Sequence, residues 1–260
     1  MNNLPSNIKP HSDTEEQAQM GFIEHLVELR QRVIHSLIAV CIAFLSMVFF
    51  ANDLYALFSK PMRDLLPADT SMIATDITAP FLAPFKLVFI LSFFVAMPYI
   101  LHQVWRFISP GLYAHERKIA FPLLLSSIML FYLGVSFAYF VVLPLMLTFF
   151  TTAGPIEIKL APDINLYLNL ALKLFLTFGL TFEIPIATLL LVWSGITDVK
   201  SLKEKRPYII VGCFVIGMLL TPPDVLSQTL LALPMWFLFE LGIFFAGFIT
   251  KNTLTPENNL

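Results

Sequence analysis

Few side chains in this chain are equipped for chemistry, and most of them are carboxylates placed beside bases. Glu24, Glu28 and Arg32 recur at intervals of four within GFIEHLVELRQR, residues 21–32. On a helix that spacing puts all three on one face. Phe22, Leu26, Leu29 and Val33 recur at helical spacing on another, so the segment is expected to lie on a membrane interface. One reading of the charged face is a solvated surface with i,i+4 ion pairs worth a few tenths of a kcal/mol. The other is a contact surface for a partner.

A second constellation is HQVWRFISPGLYAHERK, residues 102–118, which joins a Pro-Gly turn, several aromatic rings and Glu116 beside Arg117 and Lys118. Stiff rings in so short a loop suit recognition, but the same residues would also serve as an interfacial aromatic belt with basic flanks. Glu183, in FGLTFEIP, falls deep within an apolar run, where a charged carboxylate costs at least a few kcal/mol and is by default a functional candidate. Asp224, Gln228 and Glu240 form a further polar set, in which Gln228 and Thr229 are placed to bond across helices. Lys86 and Lys173 fall near the ends of their runs, where snorkelling accounts for them.

None of this makes a catalytic or cofactor site. The sequence has no Gly-rich phosphate loop, no paired histidines at metal-binding spacing and no Ser/His/Asp set in a suitable context. His25 and His35 lie ten apart with no obvious third ligand. No enzyme activity, metal, cofactor or nucleic-acid partner is expected.

The elements that must position these groups are membrane spans. The chain is 57% hydrophobic and 13% charged, with a mean hydropathy of +0.78 and 26 Phe. Soluble domains carry roughly 25% charged residues, so the expected solvent for this surface is a bilayer. A spanning helix needs ~20 apolar residues. Runs at about 33–51, 80–101, 119–147, 168–193, 207–220 and 226–249 predict six spans, between a polar tail at 1–20 and another at 250–260. Residues 1–21 lack an apolar stretch followed by a cleavage site, so the first run is expected to stay as an anchor. The fifth run is short. It predicts either a re-entrant segment or, as favoured here, a span in locally thinned lipid. Both Cys41 and Cys213 fall in apolar runs and are expected to be small buried hydrophobes. Prolines 84, 98, 122, 144, 185 and 234 lie inside the runs, where they either kink helices into a curved wall or reflect ordinary membrane-helix composition.

With six spans, eleven Lys and Arg fall on one side and three on the other, Lys86 and Lys173 lying within spans. The positive-inside rule then predicts both termini in the cytoplasm. An internal inverted repeat, as in many secondary transporters, is not evident. A proton-coupled transporter titrating Glu183 is the alternative reading of the intramembrane carboxylate.

Four motifs in order carry a family resemblance: HLVELRQR at 25–32, FISPGLYAHERK at 107–118, FGLTFEIP at 178–185 and TPPDVLSQTLLALPMWFLFELG at 221–242. Together they resemble TatC, the core receptor of the bacterial twin-arginine protein translocase. The resemblance covers about residues 20–248 and includes the short fifth and sixth spans. It implies an all-α bundle of six spans shaped like a cupped hand, with both termini cytoplasmic, in the bacterial inner membrane. It also implies the job of binding the arginine-pair signal peptide of folded precursor proteins. Single-span TatB-like and TatA-like partners, self-association in the receptor complex and use of the proton-motive force come with it. Carried over residue by residue, Glu28 and Glu116 would bind the arginine pair, with Arg30, Phe107, Leu112 and the neighbouring Arg117 in the same region. Glu183 would line the concave face, Asp224 and Gln228 would sit at the partner-helix site, and Pro61 would matter in the first outer loop.

Overall fold

Backbone groups in lipid must be satisfied within their own segment, and here every apolar run becomes helix. The computed structural model describes residues 11–65, 72–108, 117–152, 161–221 and 225–253. Among these, α1 covers His11–Met47 and passes through a 3₁₀ turn, Val48–Phe50, into α2, Ala51–Phe58, and α3, Lys60–Leu65. The second run is one helix, α4, Ala79–Ile108. The third is α5, Arg117–Phe137, a π turn at Ala138–Val142 and α6, Leu143–Thr152. The fourth divides into α7, Ile164–Thr181, and α8, Ile184–Trp193. A short α9, Val199–Glu204, precedes α10, Arg206–Leu220, and α11 runs Val225–Thr253.

Five of these stretches are long and apolar enough to cross a bilayer, and Arg206–Leu220 is a shorter apolar helix. At 1.5 Å per residue, α10 is only about 22 Å long, against roughly 30 Å of hydrocarbon. Its length is set chemically at both ends. Pro207 begins it, and at its far end Thr221 turns both its N–H and its hydroxyl onto the Gly217 carbonyl, each at 3.0 Å.

The prolines divide by context. Pro84 and Pro98 lie inside α4, Pro122 inside α5 and Pro234 inside α11 without ending those helices. Pro185 marks the break between α7 and α8. Without an N–H it cannot continue the ladder, and Glu183 N–H turns back to Leu180 in a tighter bond of 3.1 Å.

α1 packs on α4; α4 touches α5 and α7; α5 lies along α7; α8 packs on α11, which also holds α10. Lipid tails are as apolar as leucine, so these contacts depend on close packing and small residues. Phe131, Phe175 and Phe178 are fully buried where α5 meets α7. Gly134 lets the two backbones approach there, Gly179 makes room for the Phe131 ring, and Gly242 lets α11 lie against Thr188 and Pro185 of α8. Tyr132 and Tyr167 donate their hydroxyls to the carbonyls of Phe94 and Phe58, at 3.1 and 3.0 Å.

Cys213 is buried, as expected, but Cys41 is exposed. α1 has α4 as its principal neighbour and only 6% of its apolar window is buried, so most of its surface, Cys41 included, faces outward.

Across the molecule, Asp163 ties two connectors together. Its Oδ1 caps α7 by accepting from the N–H groups of Asn165 and Leu166, at 2.7 and 3.0 Å. Its Oδ2 accepts from Thr75 N–H at 2.9 Å and Thr75 hydroxyl at 2.6 Å. An isolated parallel bridge between Ile73 and Asp163 runs alongside. The Thr75 donors, followed by the helix amides, hold the Asp163 carboxyl well below the usual carboxylate range, at about 2. A carboxyl depressed on folding stabilises above its unfolded value and loses that contribution as pH falls toward 2. Asp163→Asn should therefore lower the thermal midpoint of the purified chain at neutral pH, because an amide NH₂ would face a donor. The gap to wild type should close as the pH approaches about 2.

Candidate functional site

The basic end of the bundle is built where α1 leans on the last turns of α4. Arg32 Nη2 binds Glu28 Oε1 at 2.8 Å, the i,i+4 pair expected from the spacing. Arg32 Nη1 also donates to Gln103 Oε1 at 3.2 Å, across to α4. Gln103 is buried, whereas the side chains of Arg32 and Glu28 are 19% and 33% exposed. One turn nearer the helix ends, the rings of His25 and Phe107 stack with centroids 4.2 Å apart and planes 19° from parallel. Two sequence motifs far apart in the chain thus share one corner. A carboxylate offers about four lone-pair sites, and Arg32 takes one, so Glu28 keeps capacity for a second cation. Arg30 is exposed on the same helix.

Other predicted residues are placed separately. Arg117 begins α5. Leu112, Glu116 and Asp224 lie outside the described residues, so the Glu28–Glu116 approach does too. Pro61 is half-buried in α3. Gln228 lies on α11 with its backbone against Gly217 of α10, where an added Cβ would sit 3.3 Å from its carbonyl. Thr229 does not reach across helices as anticipated: its hydroxyl satisfies itself on the Val225 carbonyl one turn back, at 2.6 Å.

Glu183 sits at the α7–α8 break. One carboxylate oxygen accepts from the buried Ser127 of α5, and the other is buried with no hydrogen-bond partner among the described residues. Lys86 does not merely snorkel; its ammonium donates to Asn169 of α7. Sequence reasoning did not single out Gln103 or Ser127, nor the pairing of Arg206 with Glu240 at 2.6 Å. No local signal marks them: each partner is 34 to 71 residues away. Among the described residues no group of three His, Cys, Asp or Glu could hold a metal.

The fold defines a multi-pass helical membrane protein. Residues 24–234 match the family model described as Sec-independent protein translocase protein (TatC). The chain belongs to the TatC family. It is 55% identical over 239 residues to the Sec-independent protein translocase protein TatC of Azotobacter chroococcum mcd 1, covering 92% of each chain. It is 53% identical over 226 residues to that of Escherichia coli K12, covering 87% of this chain and 88% of the other. Among solved structures it matches a crystal structure of the twin arginine translocase receptor TatC with a TM-score of 0.78 and 38% identity, over 87% of this chain and 99% of that one. A second, in DDM, gives 0.79 and 39%, over 85% and 99%. The six-span architecture fits these neighbours, with α10 as the short fifth span. The chain is thus a membrane component of Sec-independent protein transport in bacteria and is not an enzyme.

Proposed function

We propose that this chain is the receptor that grips the arginine pair of a signal peptide on a folded precursor, through Glu28 and Glu116. It then works with TatB-like and TatA-like single-span subunits to move the cargo across the bacterial inner membrane, driven by the proton-motive force. Both termini face the cytoplasm in this reading. The observation that supports it best is the corner formed by His25, Glu28, Phe107 and Gln103, which joins the first acidic motif to the helix leading into residues 109–116. Two guanidiniums need acceptor-only partners, and a carboxylate can take each in a charge-assisted, bidentate pair. A lysine ammonium lacks the planar fork and would be held less well.

The test is site-specific photocrosslinking of an arginine-pair signal peptide to membranes containing the full receptor. Glu28→Ala combined with Glu116→Ala should reduce the adduct to background. Unchanged crosslinking in that double variant would remove the proposed grip.

A further inference from the structure

Glu28 is already occupied in the free chain. Its Oε1 accepts from Arg32 Nη2 at 2.8 Å. The other arm of the same guanidinium, Nη1, reaches across to Gln103 Oε1 of α4 at 3.2 Å. Arg32 Nε is buried with no hydrogen-bond partner among the described residues. The two acceptors of Arg32 differ in kind. Gln103 is 5% exposed, on a helix packed along α1, so its amide is held in place. Glu28 is the open one, with a third of its side chain reached by solvent.

A guanidinium gripped in a bidentate pair needs both oxygens of the carboxylate. Arg32 stands on one of them, so such a grip on Glu28 requires Arg32 to let go. Only 19% of the Arg32 side chain is exposed, and a half-buried cation stripped of its partner is costly. Gln103 lowers that cost, because Nη1 keeps its bond while Nη2 gives up Glu28. Given the receptor role proposed for Glu28, on which this rests, we propose that Arg32 is an internal stand-in for the signal arginine. It occupies Glu28 in the free receptor and withdraws onto Gln103 when the signal peptide docks. The consequence is a threshold. Apparent affinity falls in proportion to the fraction of receptor in which Glu28 is free, so a segment with a weak hold does not displace Arg32. If Arg32 served only to orient Glu28, its removal would weaken binding; as a competitor, its removal strengthens it.

The experiment titrates an arginine-pair signal peptide against membranes containing the full receptor and reads the half-saturating concentration by photocrosslinking. Arg32→Gln should tighten binding about two- to fivefold, the strength of one partly exposed ion pair. A gain of this kind cannot come from misfolding. Gln103→Leu should weaken binding by a similar factor, because Arg32 then has nowhere to go. That substitution changes no charge, so a general electrostatic effect would leave it silent. In the Arg32→Gln background, Gln103→Leu should have no effect. Equal or weaker binding by Arg32→Gln would overturn the proposal. So would a loss from Gln103→Leu that persists without Arg32, which would make Gln103 a brace between α1 and α4. Glu28→Ala separates the two readings: unchanged binding there removes the receptor site itself. Binding lost in Glu28→Ala but not gained in Arg32→Gln removes only the stand-in.

Discussion

Gly134→Ala is expected to destabilise the bundle by about 3 kcal/mol, the upper end of the cost of overpacking a core. The added Cβ would lie 2.5 Å from the Phe178 carbonyl oxygen and 2.9 Å from the Phe182 ring. A flexible side chain can step aside from such an intrusion; a helix backbone cannot. α5 would have to withdraw from α7, and the fully buried Phe131, Phe175 and Phe178 would lose contacts together. Unfolding of the purified chain by heat or denaturing detergent checks this. Gly212→Ala is the control. An added Cβ there meets nothing within 4 Å, so helix propensity alone should make it neutral or stabilising by up to about 1 kcal/mol. If both substitutions shift the midpoint alike, the close approach of α5 and α7 does not hold the bundle together.

Glu183 should show the opposite sign. It carries one oxygen bonded to Ser127 and another buried without a partner among the described residues, an arrangement that lipid makes expensive. Glu183→Leu is expected to stabilise the chain against unfolding by about 1–3 kcal/mol, the desolvation of one unsatisfied group. Ser127→Ala in the wild-type background should lower stability by about 0.6–1.7 kcal/mol, the range for a hydrogen bond between membrane helices. In the Glu183→Leu background it should have little effect, because the hydroxyl has nothing left to serve. Precursor transport should nevertheless fall in Glu183→Leu, if the carboxylate is kept for contact with partner helices or lipid. A variant that is less stable and fully active would show that Glu183 is only a structural strut.

The two substitutions differ because one tests shape and the other tests charge. Gly134 carries no chemical signal in the sequence; a glycine in a run of FYLGVSF is equally consistent with composition alone. Glu183 stands out from sequence because any carboxylate in hydrocarbon does. Its partner, Ser127, does not: serine is common in membrane helices and its hydroxyl is routinely absorbed by the carbonyl one turn back. The neighbouring Ser126 does that, bonding the Pro122 carbonyl at 2.9 Å.

The corner at the basic end divides in the same way. The Glu28–Arg32 pair follows from a spacing of four on a helix. That Arg32 also binds Gln103, and that His25 stacks on Phe107, required α1 and α4 to lie side by side. Pro185 lies in the first turn of α8, as Pro144 does in α6, whereas Pro84, Pro98, Pro122 and Pro234 are carried inside their helices.

By itself the sequence determined the solvent, the runs of helix, the shortness of the fifth span and the family, because hydrophobicity, length and motif order are properties of consecutive residues. Tertiary structure alone decided which helix faces meet, that Cys41 looks outward, and that Ser127, Gln103 and Arg206 are partners of distant polar groups. In lipid there is no general hydrophobic force to sort one apolar face from another. Pairing depends instead on a few small residues and hydrogen bonds between segments far apart in the chain, and those exist only once the helices have packed.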